Sequence, residues 1–168
     1  YNKLSKSRFI NKTVIATSSH KSDDALSLYL KKKNINFFRG NLNNVYKRFI
    51  QTTNYFNNYE IIVRITADCP LIDTEIVNKT ILNYLNNDCD YSSNISPPSF
   101  PDGMDVEVFS KSLLLKNYAI IKSKFDKEHV TTYFRRSNNI KKINLLNKTN
   151  LSDVRLTIDD ADDLKNIR

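Results

Sequence analysis

The sequence of 168 residues has few cysteines, few glycines and no long apolar run. No stretch approaches the uninterrupted apolar length of a membrane span, and the first residues, YNKLSKSRFINK, lack the apolar centre of a signal peptide. Cys69 and Cys89 match no zinc-binding spacing, and two cysteines cannot form a disulfide framework for a domain of this size. These absences predict a soluble, cytoplasmic protein without a membrane partner.

The formal net charge of +8 is typical of proteins that bind nucleic acid, because Lys and Arg neutralise phosphates. The basic residues are scattered, however, and Lys31, Lys32 and Lys33 lie at a predicted helix end, where cations complement the helix dipole. Glycine is limited to Gly40 and Gly103, which indicates a general compositional bias. We therefore expect no nucleic-acid partner, and the same positive field suits small phosphorylated ligands.

Strand-like apolar runs alternate with helical patterns along the chain. The clearest strand is Glu60 to Thr66 (EIIVRIT), whose continuous apolar character is typical of a parallel sheet covered on both faces. Asp73 is expected to cap the helix that follows. The alternation predicts a single α/β domain over residues 1–168, with a mixed, mainly parallel sheet flanked by helices. Later predicted elements are a strand over Met104 to Phe109, a helix over Lys127 to Arg136 and a strand over Val154 to Ile158.

Acidic residues stand directly after two of the predicted strands. Asp68 follows EIIVRIT, and Asp159 with Asp160 follows VRLTI. Ligands bind at this edge of open α/β sheets, and two carboxylates that converge there can hold Mg²⁺, which prefers oxygen ligands and is often shared with substrate phosphates. The alternative is structural: Asp68 closes a turn, and Asp159 or Asp160 caps the last helix. Spacing alone does not separate the two interpretations.

Further polar residues suit either a substrate or a structural role. The loop PDGMDVE places Asp102, Asp105 and Glu107 around a glycine, and strand alternation would put Asp105 and Glu107 on one face. These acids suit sugar hydroxyls or a solvated surface. His129 beside Glu128 suits a general base or a polar ligand, although a lone helical histidine is more often structural.

The pair Arg39-Gly40 has two interpretations of the same kind. Glycine lets the backbone approach a nucleotide more closely than a residue with a Cβ atom allows, and it equally suits a turn.

Five segments occur in an order typical of one enzyme family: FFRGNLNNVYKRF, IIVRITADCPLID, DYSSNISPPSFPDGMDVEVFS, DKEHVTTYFRRS and LSDVRLTIDDADDL. Together they resemble the SpsF-type cytidylyltransferases, which are named for spore coat polysaccharide synthesis and are related to the enzymes that make CMP-activated Kdo and sialic acids. The resemblance covers essentially the whole chain. It implies a Rossmann-like nucleotide-diphospho-sugar transferase fold, in which a sugar hydroxyl attacks the α-phosphate of CTP and pyrophosphate leaves.

The resemblance also implies roles for individual residues. Asp68 and Asp159 match the metal-binding aspartates, so Mg²⁺ is the expected cofactor. Arg39 and Gly40 fall where relatives approach the nucleotide. CTP and a sugar acid or sugar phosphate are the expected partners, and related enzymes indicate a homodimer. The positions on the sugar side are Asp102, Asp105, Glu107, Glu128 and His129.

The N-terminus departs from the family pattern. Such enzymes begin with a strand and a loop reading QAR-x-x-S-x-RLPGK, whose Arg, Lys and backbone amides cradle the triphosphate. This chain starts with YNKLSKSRFINK, which resembles the end of the helix after that loop. We therefore expect an N-terminally truncated chain that is nearly inactive alone. The alternatives are a separate segment that supplies the missing strand, and a non-catalytic nucleotide- or sugar-binding module that keeps the fold.

Overall fold

The computed structural model describes residues 1–167 and divides the chain into two compact units. The first unit comprises Tyr1–Asn11, Ile61–Phe109 and the chain from Asn138 onward, and the second comprises Lys12–Glu60 and Ser110–Ser137. Both units combine strands with helices, which confirms the α/β prediction, whereas the single domain stays a prediction. Within residues 1–167, no helix has both the length and the apolar character needed to span a membrane.

Short strands and helices alternate along the chain. The strands are β1 (Ile15–Ser18), β2 (Phe37–Gly40), β3 (Ile61–Arg64), β4 (Tyr91–Ser93), β5 (Glu107–Ser110) and β6 (Lys142–Asn144). The helices are α1 (Asp24–Lys32), α2 (Val45–Tyr55), α3 (Thr74–Leu85), α4 (Lys111–Tyr118), α5 (Lys124–His129), α6 (Thr132–Arg136) and α7 (Ala161–Ile167). Strands β3, β5, β4 and β6 form one sheet in that order, and β1 pairs with β2. The pairing is parallel for β1 with β2 and for β4 with β6, and antiparallel for β4 with β5, so the four-stranded sheet is mixed as predicted.

The core of the first unit lies between α3 and the chain around β5. Helix α3 begins as predicted, because the Asp73 carboxylate accepts hydrogen bonds from the backbone N–H groups of Glu75 and Ile76. One face of this helix then buries Val77 and Ile81, which are four positions apart. The buried cluster on that face consists of Cys69, Ile72, Val77, Ile81, Val106 and Val108.

The core of the second unit surrounds Tyr46, whose side chain is fully buried. Its hydroxyl donates a hydrogen bond to the Leu114 carbonyl at 2.7 Å, so the buried phenol has a partner. Its ring packs edge-on against Phe134, with centroids 6.2 Å apart, and stacks with Tyr118. Helices α2, α4 and α6 are therefore joined through one side chain.

The prediction of one helix over Lys127 to Arg136 is wrong, because the helix is interrupted at Val130. This residue has φ 64° and ψ −58°, a conformation that is strained for a β-branched residue, and Thr131 N–H donates to the His129 carbonyl at 2.7 Å. The buried Asp126 carboxylate accepts hydrogen bonds from Thr132 and from Arg136. These bonds hold α5 and α6 as two short helices.

Two predicted strands also differ from the structure. The strand expected over Met104 to Phe109 starts only at Glu107, because the Asn94 side chain bonds to the Met104 carbonyl and the Val106 N–H and so replaces a neighbouring strand. The strand expected over Val154 to Ile158 is instead an extended segment with one isolated bridge, between Arg155 and Asp102. Its backbone bonds to the PDG loop and joins no sheet.

Candidate active site

Three segments of the first unit meet where the sequence places its acidic residues. Ile158 N–H donates to the Asp68 carbonyl at 2.9 Å, so the turn after β3 touches the residue before Asp159. Asp102 N–H donates to the Val154 carbonyl at 2.9 Å, which adds the PDG loop to the same group. We call Asp68, Asp102, Asp105 and Asp159 the acidic edge. The backbone contact agrees with the expected proximity of Asp68 and Asp159, and their metal-binding role stays a prediction.

Gly103 is what lets the PDG loop lie against the segment before Asp159. Its φ is +100°, which residues with a side chain rarely adopt, and a Cβ atom would lie 2.8 Å from the backbone carbon of Leu156. Only glycine fits here without displacing the backbone. One of the two glycines of the chain therefore holds part of the acidic edge together.

Asp68 and Asp105 both influence the thiol of Cys69. The pKa of Cys69 is raised to about 11, chiefly by burial; the Thr66 hydroxyl lowers it in part, and the Asp68 and Asp105 carboxylates make smaller contributions that raise it. The thiol lies 3.5 Å from Asp68 Oδ1. Because burial disfavours the thiolate, the Cys69 thiol stays protonated and unreactive at neutral pH.

Arg155 is the basic residue of this region and was not among the predicted site residues. Its guanidinium pairs with Asp102 at 3.4 Å, with Asp159 at 2.5 Å and with Asp163 at 3.1 Å. Its hydrogen bonds hold the pKa of Asp163 below the usual range. The helical i,i+4 rule does not predict these pairs, because Arg155 and Asp159 both precede α7 in the chain.

The acidic edge fits one mode of magnesium binding and not another. Among residues 1–167, no group of three or more His, Cys, Asp or Glu side chains could hold a metal ion, which argues against an all-protein cage. Mg²⁺ more often binds one or two carboxylates and completes its shell with water and substrate phosphates. Asp68 and Asp159 supply hard oxygen donors from neighbouring segments and fit this second mode.

The surroundings of Glu107 argue against the predicted direct contact with a sugar. Its side chain is 1% exposed, Oε1 accepts a hydrogen bond from the Tyr91 hydroxyl at 2.5 Å, and Oε2 pairs with Arg64. Both oxygens are used inside the sheet. Asp105 does not share a strand face with it, because β5 begins at Glu107. Arg64 was the missed signal, since an arginine inside an apolar strand needs a buried partner.

Arg39 and Gly40 lie at the end of β2 in the second unit. The Arg39 guanidinium donates to the carbonyls of Ser18 and His20 and pairs with Asp24 at 2.7 Å, which fixes the turn between β1 and α1. At Gly40, a Cβ atom would lie 2.8 Å from a side-chain carbon of Arg48, so glycine lets α2 pack closely. These contacts explain both residues structurally, and their nucleotide contact stays a prediction. Arg39 also lines a surface pocket of about 420 Å³ with Asp24, Ser27, Leu28, Lys31 and Phe37.

Glu128 and His129 end α5 in the second unit, and both are exposed. The imidazole lies 4.3 Å from the Phe125 ring, measured between centroids. Exposure leaves both side chains accessible to a ligand, directly before the strained Val130. Their place on the sugar side stays a prediction.

Comparison with known proteins gives a consistent result. The family model described as cytidylyltransferase matches residues 1–162. A cytidylyltransferase from Leptospira borgpetersenii is 32% identical with a TM-score of 0.90, over 97% of this chain and 69% of that one. An uncharacterized protein of Methanocaldococcus jannaschii is 32% identical over 166 residues, which are 97% of this chain and 67% of the relative. The spore coat polysaccharide biosynthesis protein SpsF of Bacillus subtilis is 29% identical over 160 residues, which are 92% of this chain and 65% of the relative.

The chain spans about two thirds of the length of these relatives. Its fold is the Rossmann-like nucleotidyltransferase fold, as the sequence predicts. The chain belongs to the cytidylyltransferase family.

Proposed function

We propose that this protein transfers CMP from CTP to a sugar acid or sugar phosphate, with release of pyrophosphate, for synthesis of a surface polysaccharide or glycan. The observation that carries the proposal is the acidic edge, in which the Asp68 turn, the PDG loop and the segment before Asp159 are joined by backbone hydrogen bonds. Membership of the cytidylyltransferase family supports the transfer of a cytidylyl group. The name of the SpsF relative supports a polysaccharide product.

The charge of the acidic edge explains why the proposed reaction needs a cation. Carboxylates repel a triphosphate, and the repulsion grows where water is excluded. Mg²⁺ held by Asp68 and Asp159 would offset the charge of the nucleotide phosphates. Asp102 and Asp105 are carboxylate acceptors that suit sugar hydroxyl groups.

The reaction asks the protein mainly to position its substrates. The sugar oxygen forms a bond to the α-phosphorus, the bond from that phosphorus to pyrophosphate breaks, and the hydroxyl proton passes to solvent. Such a transfer depends on alignment and charge stabilisation more than on covalent help from side chains. A rigid edge made of three bonded segments suits this requirement.

The test compares Asp68→Asn with the unaltered protein, each joined to an upstream strand and QAR-type triphosphate loop, in CTP- and Mg²⁺-dependent pyrophosphate release across a panel of sugar acids and sugar phosphates. We expect turnover to fall roughly a hundredfold or more, because a charge-stabilising group is lost. We expect the melting temperature to change little, because the only side-chain partner of Asp68 in the described chain is the weakly donating Cys69 thiol. Asp153→Asn is the control, since Asp153 is exposed and the change in charge is the same.

Two results would contradict the proposal in different ways. Undiminished turnover of Asp68→Asn would remove this carboxylate from the mechanism. Failure of the unaltered protein to release pyrophosphate with any sugar, although it binds CTP or a sugar, would favour a non-catalytic binding module.

A further inference from the structure

The carboxylate of Asp159 is held at one oxygen only. Arg155 donates to Oδ2 at 2.5 Å, and the backbone N–H of Asp159 donates to Asp163 at 2.9 Å. No described residue bonds to the second carboxylate oxygen, Oδ1. Side chain and backbone are therefore both fixed, and one oxygen remains available.

Asp163 accepts hydrogen bonds from both Arg155 and Asp159. Its Oδ2 accepts from Arg155 Nη2 at 3.1 Å and also from the Asp159 backbone. Arg155 reaches across to Asp102, whose backbone is bonded to the segment on either side of Arg155. The guanidinium thus links the PDG loop, Asp159 and the first turn of α7.

Stability alone does not explain these contacts. The Arg155, Asp102 and Asp159 side chains are 50%, 45% and 56% exposed, and exposed ion pairs add little to the free energy of unfolding. What the contacts do provide is orientation, because a guanidinium has a planar, fixed set of donors. Three carboxylates around one guanidinium also leave two negative charges uncompensated, which suits a divalent cation.

We propose that Arg155 and Asp163 are positioning residues for Asp159: they hold it through Oδ2 and its backbone so that Oδ1 is presented to the divalent cation. Residues that bond to metal-ligating carboxylates commonly fix their direction in this way. The inference rests on the metal-dependent function proposed above. It adds two residues to the site that neither touch substrate nor bind the cation themselves.

Replacing Arg155 should change the cation affinity in opposite directions, depending on whether the guanidinium acts only through its charge or positions Asp159. If the guanidinium acts only as a nearby positive charge, Arg155→Met tightens cation binding, because a repulsive charge is gone. If it positions Asp159, the same variant weakens binding despite the more negative site. The affinity for Mn²⁺ alone, measured from the electron paramagnetic resonance signal of the free ion, distinguishes the two.

We expect Arg155→Met to bind Mn²⁺ about tenfold or more weakly than the unaltered protein. Arg155→Lys should recover part of the loss, because an ammonium can still bond to Oδ2 but cannot reach three carboxylates at once. Asp163→Asn should also weaken binding. Lys165→Met is the control: it removes one positive charge from α7 by breaking the exposed pair with Asp162, and it should change the affinity less than twofold.

Thermal unfolding of each variant without metal shows whether it is folded. If Arg155→Met does not fold, the comparison of Arg155→Lys with Lys165→Met decides. Binding by Arg155→Met that is unchanged or tighter would overturn the positioning role and leave the proposed function intact. Absence of Mn²⁺ binding by the unaltered protein would overturn the positioning role, whereas the pyrophosphate-release assay decides the proposed function independently.

Discussion

Replacing Glu107 with glutamine tests whether this carboxylate belongs to the fold or to the sugar site. Glutamine has nearly the same shape but no charge, and it leaves the Arg64 guanidinium, 17% exposed, without its counter-ion. Removing one partner of a buried ion pair costs about 3–5 kcal/mol. Because glutamine keeps one acceptor oxygen and Arg64 is not fully buried, we expect the free energy of unfolding to fall by about 3 kcal/mol.

Urea unfolding followed by circular dichroism measures this loss, since the chain has no tryptophan to report by fluorescence. A double-mutant cycle with Arg64→Met should show strong coupling, because the second change removes the unpaired charge. Glu60→Gln is the control: Glu60 is exposed, so its replacement should cost less than about 0.5 kcal/mol.

A different result would refute the reasoning. If Glu107→Gln lowered the free energy of unfolding by less than about 1 kcal/mol, Arg64 and Glu107 would not have the energetics of a buried ion pair. If that variant also showed a raised KM for the sugar with unchanged stability, Glu107 would return to the predicted substrate-binding set.

Three further predictions concern stability. Thr157→Val should raise the free energy of unfolding, measured by thermal melts, by about 1 kcal/mol, because the buried Thr157 hydroxyl has no hydrogen-bond partner among residues 1–167. A lower free energy of unfolding in this variant would show that the hydroxyl does have a partner. In urea unfolding, Gly103→Ala should lower the free energy of unfolding by about 3 kcal/mol, because the new Cβ atom meets backbone at a positive φ. Gly40→Ala should lower it by about 1 kcal/mol, because its Cβ atom meets flexible side chains. Equal decreases would contradict this reasoning. Asp126 should stabilise the protein at neutral pH, because hydrogen bonding from Arg136 lowers its folded pKa. This contribution should be lost as pH falls from about 4 through that lower pKa, and Asp126→Asn, followed by melts across this range, should remove that part of the pH dependence.

The elements that could be predicted from the sequence are those whose causes are local. Within the apolar run EIIVRIT, Ile61–Arg64 forms β3, although it is an edge strand with no fully buried residue and not the covered strand that the run predicts. The capping carboxylate of Asp73 begins α3 as expected. Apolar periodicity and helix caps act over a few residues, so a single sequence contains the necessary information.

The errors fall where polar contacts, distant in one case and nearby in the other, decide the structure. Val154 to Ile158 has strand-like composition, but its backbone groups bond to Asp102 in the PDG loop and to Asp68. The helix over Lys127 to Arg136 is broken at Val130, which no local breaker residue announces. The partners of Val154 to Ile158 are far along the chain, whereas the break at Val130 is held by nearby polar contacts of Asp126 that apolar periodicity does not reveal.

The three acids of PDGMDVE show why a shared motif does not assign roles to its members. Asp102 is half-buried and pairs with Arg155, Asp105 is half-buried near the Cys69 thiol, and Glu107 is buried against Arg64 and Tyr91. The sequence presents them as equivalent, and their surroundings separate them. A carboxylate in water can exchange partners with a ligand, whereas one with both oxygens bonded in the interior cannot do so without destabilising the sheet. Changes at Asp102 or Asp105 should therefore alter ligand binding first, and changes at Glu107 should alter stability first.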